Sequence, residues 1–264
     1  MWTAHPPDRA EVKLLRAARE RFDLNPLAIH VNYLINLAAA DPVIRRKSID
    51  AFRAELERAA AIGAEYLVMH PGSYRGRSVE EAIAAMVPAL KESTQGLRSH
   101  GVTVLLENTA GAGSHIGSRF EELRSIRDLA RAQIDLPIGY CLDTCHLLAA
   151  GFNIATAAGL RTVIQRAEET LGLAQVYLIH ANDSKGALGS HLDRHAHIGA
   201  GHIGLEGFRR ILTHPQLRHK PFILETPVEK PGDDRRNLDT LRSLARRASR
   251  GAIRNLYPAV TSSS

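Results

Sequence analysis

Hydrophobic and polar positions along the chain alternate between two periods, six times over. Short apolar runs rich in β-branched and aromatic residues fall at 27–31 (LAIHV), 66–70 (YLVMH), 102–107 (VTVLLE), 138–143 (IGYCLD), 176–180 (VYLIH) and 221–225 (PFILE), and each reads as a strand. Between them the apolar positions recur at helical spacing. A helix is predicted over 8–22, with no strand before it. The next begins near Ser48, from which Ile49, Phe52, Leu56 and Ala60 follow on one face. Two more open on capping boxes, Ser78-Val79-Glu80-Glu81 and Ser118-Arg119-Phe120-Glu121, and the last three lie near 156–172, 204–213 and 235–248.

Strand starts are separated by 36 to 45 residues, room for one helix each, so the sheet is parallel. Strands this apolar are buried on both faces and need helices over them. The architecture that follows is an α/β TIM barrel, but such a barrel has eight strands and the pattern supplies six. The prediction is therefore an incomplete (β/α) barrel lacking an N-terminal strand–helix–strand, with exposed sheet edges. No linker interrupts the pattern, which gives one domain over 1–249 and a basic, polar, poorly ordered tail over 250–264.

The chemistry sits where the strands end. His30, His70, Glu107, Asp143, His180 and Glu225 each close or nearly close one of the six runs. One such residue marks only where a strand meets water. Six of six point to a ligand set at the C-terminal face, where βα barrels carry their sites. His146 follows Asp143 by three positions, a spacing that joins the two if the loop turns into helix, and Asp193 and His195 project to one side of an extended segment. Nine imidazoles and carboxylates suit zinc or manganese and exceed the needs of one tetrahedral ion, so a multinuclear centre is expected. Cys141 and Cys145, spaced i, i+4, match no zinc ribbon and are expected to pack. His100, His115, His191, His197, His202, His214 and His219 lack strand-end placement and are expected at the surface or behind the ligands.

Composition changes this picture little. Hydrophobic residues make up 44% and charged residues 23% of 264, ordinary for a chain with a sizeable core. Two cysteines favour a reduced, cytoplasmic setting, and neither a signal peptide nor a membrane span is evident. The net charge of +6 suggests a nucleic-acid partner, but residues 241–264 carry five of those charges (Arg242, Arg246, Arg247, Arg250 and Arg254). The excess belongs to the tail.

Along 28–227 the sequence resembles the endonuclease IV family of apurinic/apyrimidinic (AP) endonucleases. The resemblance is carried by His30-Val-Asn-Tyr33-Leu34-Ile-Asn-Leu, His70-Pro-Gly-Ser, Glu107-Asn-Thr-Ala-Gly-Ala-Gly, Asp143-Thr-Cys-His146, His180-Ala-Asn-Asp-Ser-Lys, Asp193-Arg-His195 and Leu-Glu225-Thr-Pro, seven segments in order. It implies three zinc ions, with manganese admissible at one position, and no organic cofactor. His30 and His70 would hold the first, Glu107 would bridge to a second completed by Asp143, His180 and Glu225, and His146, Asp193 and His195 would hold the third. It further implies a monomer that cleaves duplex DNA 5′ to abasic sites in base excision repair and also trims 3′ ends. A metal-bridging water would attack, with Glu107 or Glu225 taking its proton. Tyr33 and Leu34 match positions that wedge into the minor groove as the lesion flips out. The chain departs from the family in its missing first strands (Met1-Trp2 looks like the end of the second loop) and in Gly199-Ala200-Gly201-His202, where an acidic second residue is usual; the latter predicts looser support near the third zinc. Two alternatives stay open: a sugar isomerase or epimerase of the related xylose-isomerase-like barrels, which needs one ion on Glu107, Asp143, His180 and Glu225, and a fragment that binds metal or DNA without turnover.

Overall fold

The computed structural model describes residues 7–97 and 101–254. Met1, Trp2, His100 and 255–264 of the expected tail lie outside the described residues, while 250–254, expected to be poorly ordered, are helical.

Six strands form one parallel sheet in the order β1 (Ala28–His30), β2 (Tyr66–Met69), β3 (Thr103–Glu107), β4 (Ile138–Asp143), β5 (Val176–His180) and β8 (Phe222–Ile223); between the last two in sequence come the short β6 (Asp183–Ser184) and β7 (His195–Ala196), which pair only with each other. Helices α1 (Arg9–Phe22), α2 (Pro42–Ile62), α3 (Val79–Thr94), α4 (Phe120–Arg131), α5 (Thr144–Ala149), α6 (Ala157–Thr170), α7 (Gly204–Thr213) and α8 (Asp233–Arg254) connect and cover the sheet. Every pairing in it is parallel. This is the expected incomplete barrel. The four middle strands run four to six residues, whereas β1 and β8, which border the opening, run three and two.

Alternation along each strand builds two layers. The convex face carries Leu67, Met69, Val104, Leu106, Tyr140 and Ile179 against Phe52, Leu90, Phe120 and Phe208 from the helices, all at most 2% exposed. At roughly 1.5–3 kcal/mol for each large apolar side chain so buried, this layer carries the fold. The concave face holds a second cluster of Val68, Leu105, Cys141 and Leu178, flanked by Ala28 and Ile223. Each of those six residues lies two positions before a predicted ligand. Period-two geometry therefore points all six strand-end side chains into the same mouth. Deeper in the barrel the rings of Tyr66 and Tyr177 stack at 6.0 Å. Gly139 makes room for them, since a Cβ there would meet Tyr177 Cδ2 at 2.3 Å.

The helix boundaries correct the sequence reading in two places. α2 starts at Pro42, not near Ser48: Asp41 accepts from the Val43 and Ile44 amides at 2.7 and 3.0 Å, and proline occupies the first turn. Ser48 lies inside the helix and donates to the Ile44 carbonyl. The Ser78–Glu81 box forms as predicted, but the Ser118–Glu121 box does not. Instead Glu122 reaches back to accept from the Gly117 amide at 2.7 Å and from Arg119 at 2.8 Å. The chain after Asp143 does turn into helix, the six-residue α5, whereas the antiparallel β6–β7 pair was not foreseen.

Candidate metal centre

The nine predicted ligands converge. They form three overlapping groups whose ligand atoms all lie within 4.8 Å of one another: His30, His70 and Glu107; Glu107, Asp143, His180 and Glu225; and Asp143, His146 and His195. Asp193 joins the last group through His146 and His195, its Oδ1 standing 3.1 and 3.6 Å from their Nε2 atoms. Glu107 belongs to the first two groups and Asp143 to the last two, and the first and third also meet, with the His70 and His146 rings 5.3 Å apart, so the three groups form one cluster.

Local structure explains how each side chain is aimed. Asp143 ends β4 and caps α5, accepting from the His146 amide at 2.7 Å; that turn of helix brings His146 back over the strand end. The β6–β7 pair folds the loop carrying Asp193 and His195 back onto the site. Asp183, fully buried, holds the segment that follows β7: its carboxylate accepts from the amides of Ser184, Gly199, Gly201, Ile203 and Gly204 at 2.8–3.2 Å. Gly201 is required there, because a Cβ would sit 2.4 Å from the Ser184 carbonyl. Ala200 is exposed, so this carboxylate cage anchors the loop in which the usual acidic residue is missing.

The imidazoles show the fit to a metal. His30, His146 and His195 each donate Nδ1–H to a backbone carbonyl, of Val31 (2.8 Å), Asn108 (2.9 Å) and Glu225 (2.9 Å). That turns Nε2 of all three inward, the orientation metal-binding histidines take, where it can carry a proton in the metal-free protein or offer a lone pair to an ion. His195 Nε2 is buried with no hydrogen-bond partner. A buried orphan nitrogen facing carboxylates is costly unless a cation completes it. Cys141 groups with Glu107 and His180, and Cys145 with Asp193 and His195, but burial keeps both thiols protonated, and the nitrogen and oxygen donors that remain suit zinc.

Electrostatics tells the same story. Glu107 is fully buried; burial opposes its ionisation, yet His180, His70 and His30 hold it well below the ordinary carboxylate range. Burial pulls the His146 imidazolium down, but Asp143, Asp193 and Glu107 outweigh it and raise its pKa to about 10. The hydrogen bond from His146 drives Asp193 down to about 2. Without metal, protons supply the positive charge that these carboxylates demand. The signs give a pH profile for the metal-free protein. The His146 contribution is complete below its unfolded value near 6.5 and is lost as pH rises toward 10; that of Asp193 is complete above 3.8 and is lost as pH falls toward 2. The melting temperature measured in chelator is expected to peak between about pH 4 and 6.5 and fall on both sides.

Other residues find their places around this centre. Tyr33 is 87% exposed and, with Leu34, lines a cleft of about 460 Å³ that also touches His30, His70 and Asp193. His115 lines the same cleft, although nothing in its sequence position marked it. Cys141 packs in the concave layer and the Cys145 thiol donates to the Arg194 carbonyl at 3.7 Å; burial pushes both thiols up to about 12. Two buried amides, Asn108 and Asn182, were missed. They sit beside ligands within the quoted segments, but asparagine in a loop gives no periodic signal.

The fold and the site define a xylose isomerase-like TIM barrel, and the model of that family matches residues 1–247. Among relatives, a probable endonuclease 4 of Solibacter usitatus is 69% identical over 245 residues, covering 93% of this chain and 84% of the relative, and one of Chloroflexus aurantiacus is 41% identical over 248 residues, covering 94% and 86%. The crystal structure of endonuclease IV from Thermus thermophilus superposes with a TM-score of 0.80 at 39% identity, covering 94% of this chain and 86% of the other. The chain belongs to the endonuclease IV family. A D-tagatose 3-epimerase-like protein at 20% identity and TM-score 0.68 shares the fold alone.

Proposed function

We propose that the protein is a zinc-dependent AP endonuclease that hydrolyses the phosphodiester 5′ to abasic sites in duplex DNA, a step of base excision repair, and trims blocked 3′ ends. It acts as a cytoplasmic monomer. The observation that carries this reading is the cluster of three ligand groups joined by Glu107 and Asp143 in a member of this family. His30, His70 and Glu107 would hold one zinc, Glu107, Asp143, His180 and Glu225 a second, and His146, Asp193 and His195 a third. When bound, the ions supply Lewis acidity and offset charge on the phosphoryl group and the departing oxygen.

The chain's own groups divide the remaining work. Glu107 spends Oε2 on His30 and His70 and Oε1 on His180, and no part of it reaches solvent. Glu225 has a side chain 32% exposed, with Oε2 3.0 Å from His180 Nδ1. Of the two, only Glu225 reaches solvent, so its carboxylate is the one that can meet an attacking water and accept its proton. Tyr33 and Leu34 stand at the rim of the cleft, where an aromatic ring and an apolar side chain can fill the gap left by a missing base.

A single-ion sugar isomerase or epimerase would use only the middle group and leave five converging ligands without a task. The test is a duplex with one abasic site. Incision leaving a 3′-hydroxyl and a 5′-deoxyribose phosphate, abolished by chelator and restored by zinc, is expected, with an undamaged duplex left intact. One ion per chain and an uncut abasic duplex would overturn the reading.

A further inference from the structure

The buried amide of Asn182 links the ends of three strands, and its hydrogen-bond capacity is spent on two ligands. Asn182 follows β5 by two residues and is fully buried. Its Oδ1 accepts from the Glu225 amide at 2.8 Å. That acceptor role fixes the flip of the side chain, so Nδ2 must face the carboxylates: it donates to Asp143 Oδ2 at 2.6 Å and stands 3.4 Å from Glu225 Oε2. The backbone is pinned as well, because the Asn182 amide donates to Thr144 Oγ1 at 2.9 Å and the Thr144 hydroxyl donates back to the Asn182 carbonyl at 2.7 Å.

Asn108, the other buried amide, behaves differently. Its side chain exchanges two hydrogen bonds with the backbone of Asp143 and reaches no ligand carboxylate, and it is its backbone carbonyl that accepts from His146. Asp143 takes one hydrogen bond on each oxygen, from the His146 amide and from Asn182, which sets the plane of the carboxylate shared by two ligand groups. Glu225 is restrained by Asn182 at both its amide and its side chain.

We infer that Asn182 is a positioning residue: it orients the Asp143 and Glu225 carboxylates so that they present their remaining lone pairs to the metal. This rests on the metallonuclease reading above and deepens it. Partners of this kind typically change metal affinity by roughly ten- to a hundred-fold when removed.

The experiment compares zinc release to a chelating dye, and melting temperature with and without zinc, for wild type, Asn182→Ala and a remote core truncation, Leu90→Ala on α3. Asn182→Ala is expected to release zinc at least about ten-fold faster and to shrink the zinc-induced rise in melting temperature. Leu90→Ala is expected to lower both melting temperatures together and leave release unchanged. Unchanged or slower release from Asn182→Ala would overturn the inference, as would an undiminished zinc-induced rise. Should that variant not fold, Asn182→Ser, a milder truncation whose hydroxyl is too short to bridge both carboxylates, is judged by the same outcomes. A wild-type chain that holds no zinc would instead sink the metallonuclease reading itself, so the two failures are distinguishable.

Discussion

Glu225→Gln is expected to lower single-turnover incision of an abasic duplex at least roughly a hundred-fold while changing the equilibrium Kd for that duplex by less than about threefold. The substitution keeps the shape of the side chain, and the main-chain hydrogen bond from the Glu225 amide to Asn182 is untouched. It removes one negative charge from the middle ligand group and replaces a proton acceptor with an amide. Both losses act on the reacting centre, whereas on the proposed function DNA would be gripped by the rim of the cleft and through its backbone phosphates. Equal cleavage by the two proteins would show that Glu225 neither holds metal nor moves a proton.

Glu107→Ala is expected to do more. Its two oxygens serve different neighbours, Oε2 facing His30 and His70 and Oε1 facing His180, so one truncation unmakes two ligand groups. Elemental analysis is expected to fall from about three zinc ions per chain to about one, held by the His146, Asp193 and His195 end, with incision reduced by at least roughly a thousand-fold. Full zinc content in this variant would show that the carboxylate does not bridge. The variant also leaves three imidazoles without their buried counter-charge, so its metal-free form is expected to melt lower than the wild type.

The sheet and the convergence of the strand-end side chains were legible because both depend on local regularity. A period of two in an apolar run names the strand and fixes which side of it faces inward; His30, His70, Glu107, Asp143, His180 and Glu225 all occupy that phase. What escaped depends on distant partners. The box at Ser118 matches a capping pattern, but Glu122 finds the Gly117 amide and Arg119 instead, and local sequence does not choose between these. The Asp41-Pro42 start of α2 was a readable signal, passed over because the apolar periodicity only becomes clear at Ser48 and beyond. Asn182 and Asp183 look like loop residues and prove fully buried, since the loop turns into the barrel mouth and their partners arrive from the end of β8 and from 199–204. His115 reaches the cleft by the same kind of tertiary arrangement.

The brevity of the two border strands has a bearing on how the protein behaves at high concentration. Among the described residues, a rim of three residues on one side of the opening and two on the other offers few vacant main-chain donors and acceptors, whereas the long ladders of the sheet are sealed inside it. Strand-to-strand association between molecules needs a run of such groups in register, and a template this short gives little foothold for stacking into fibrous or swapped assemblies.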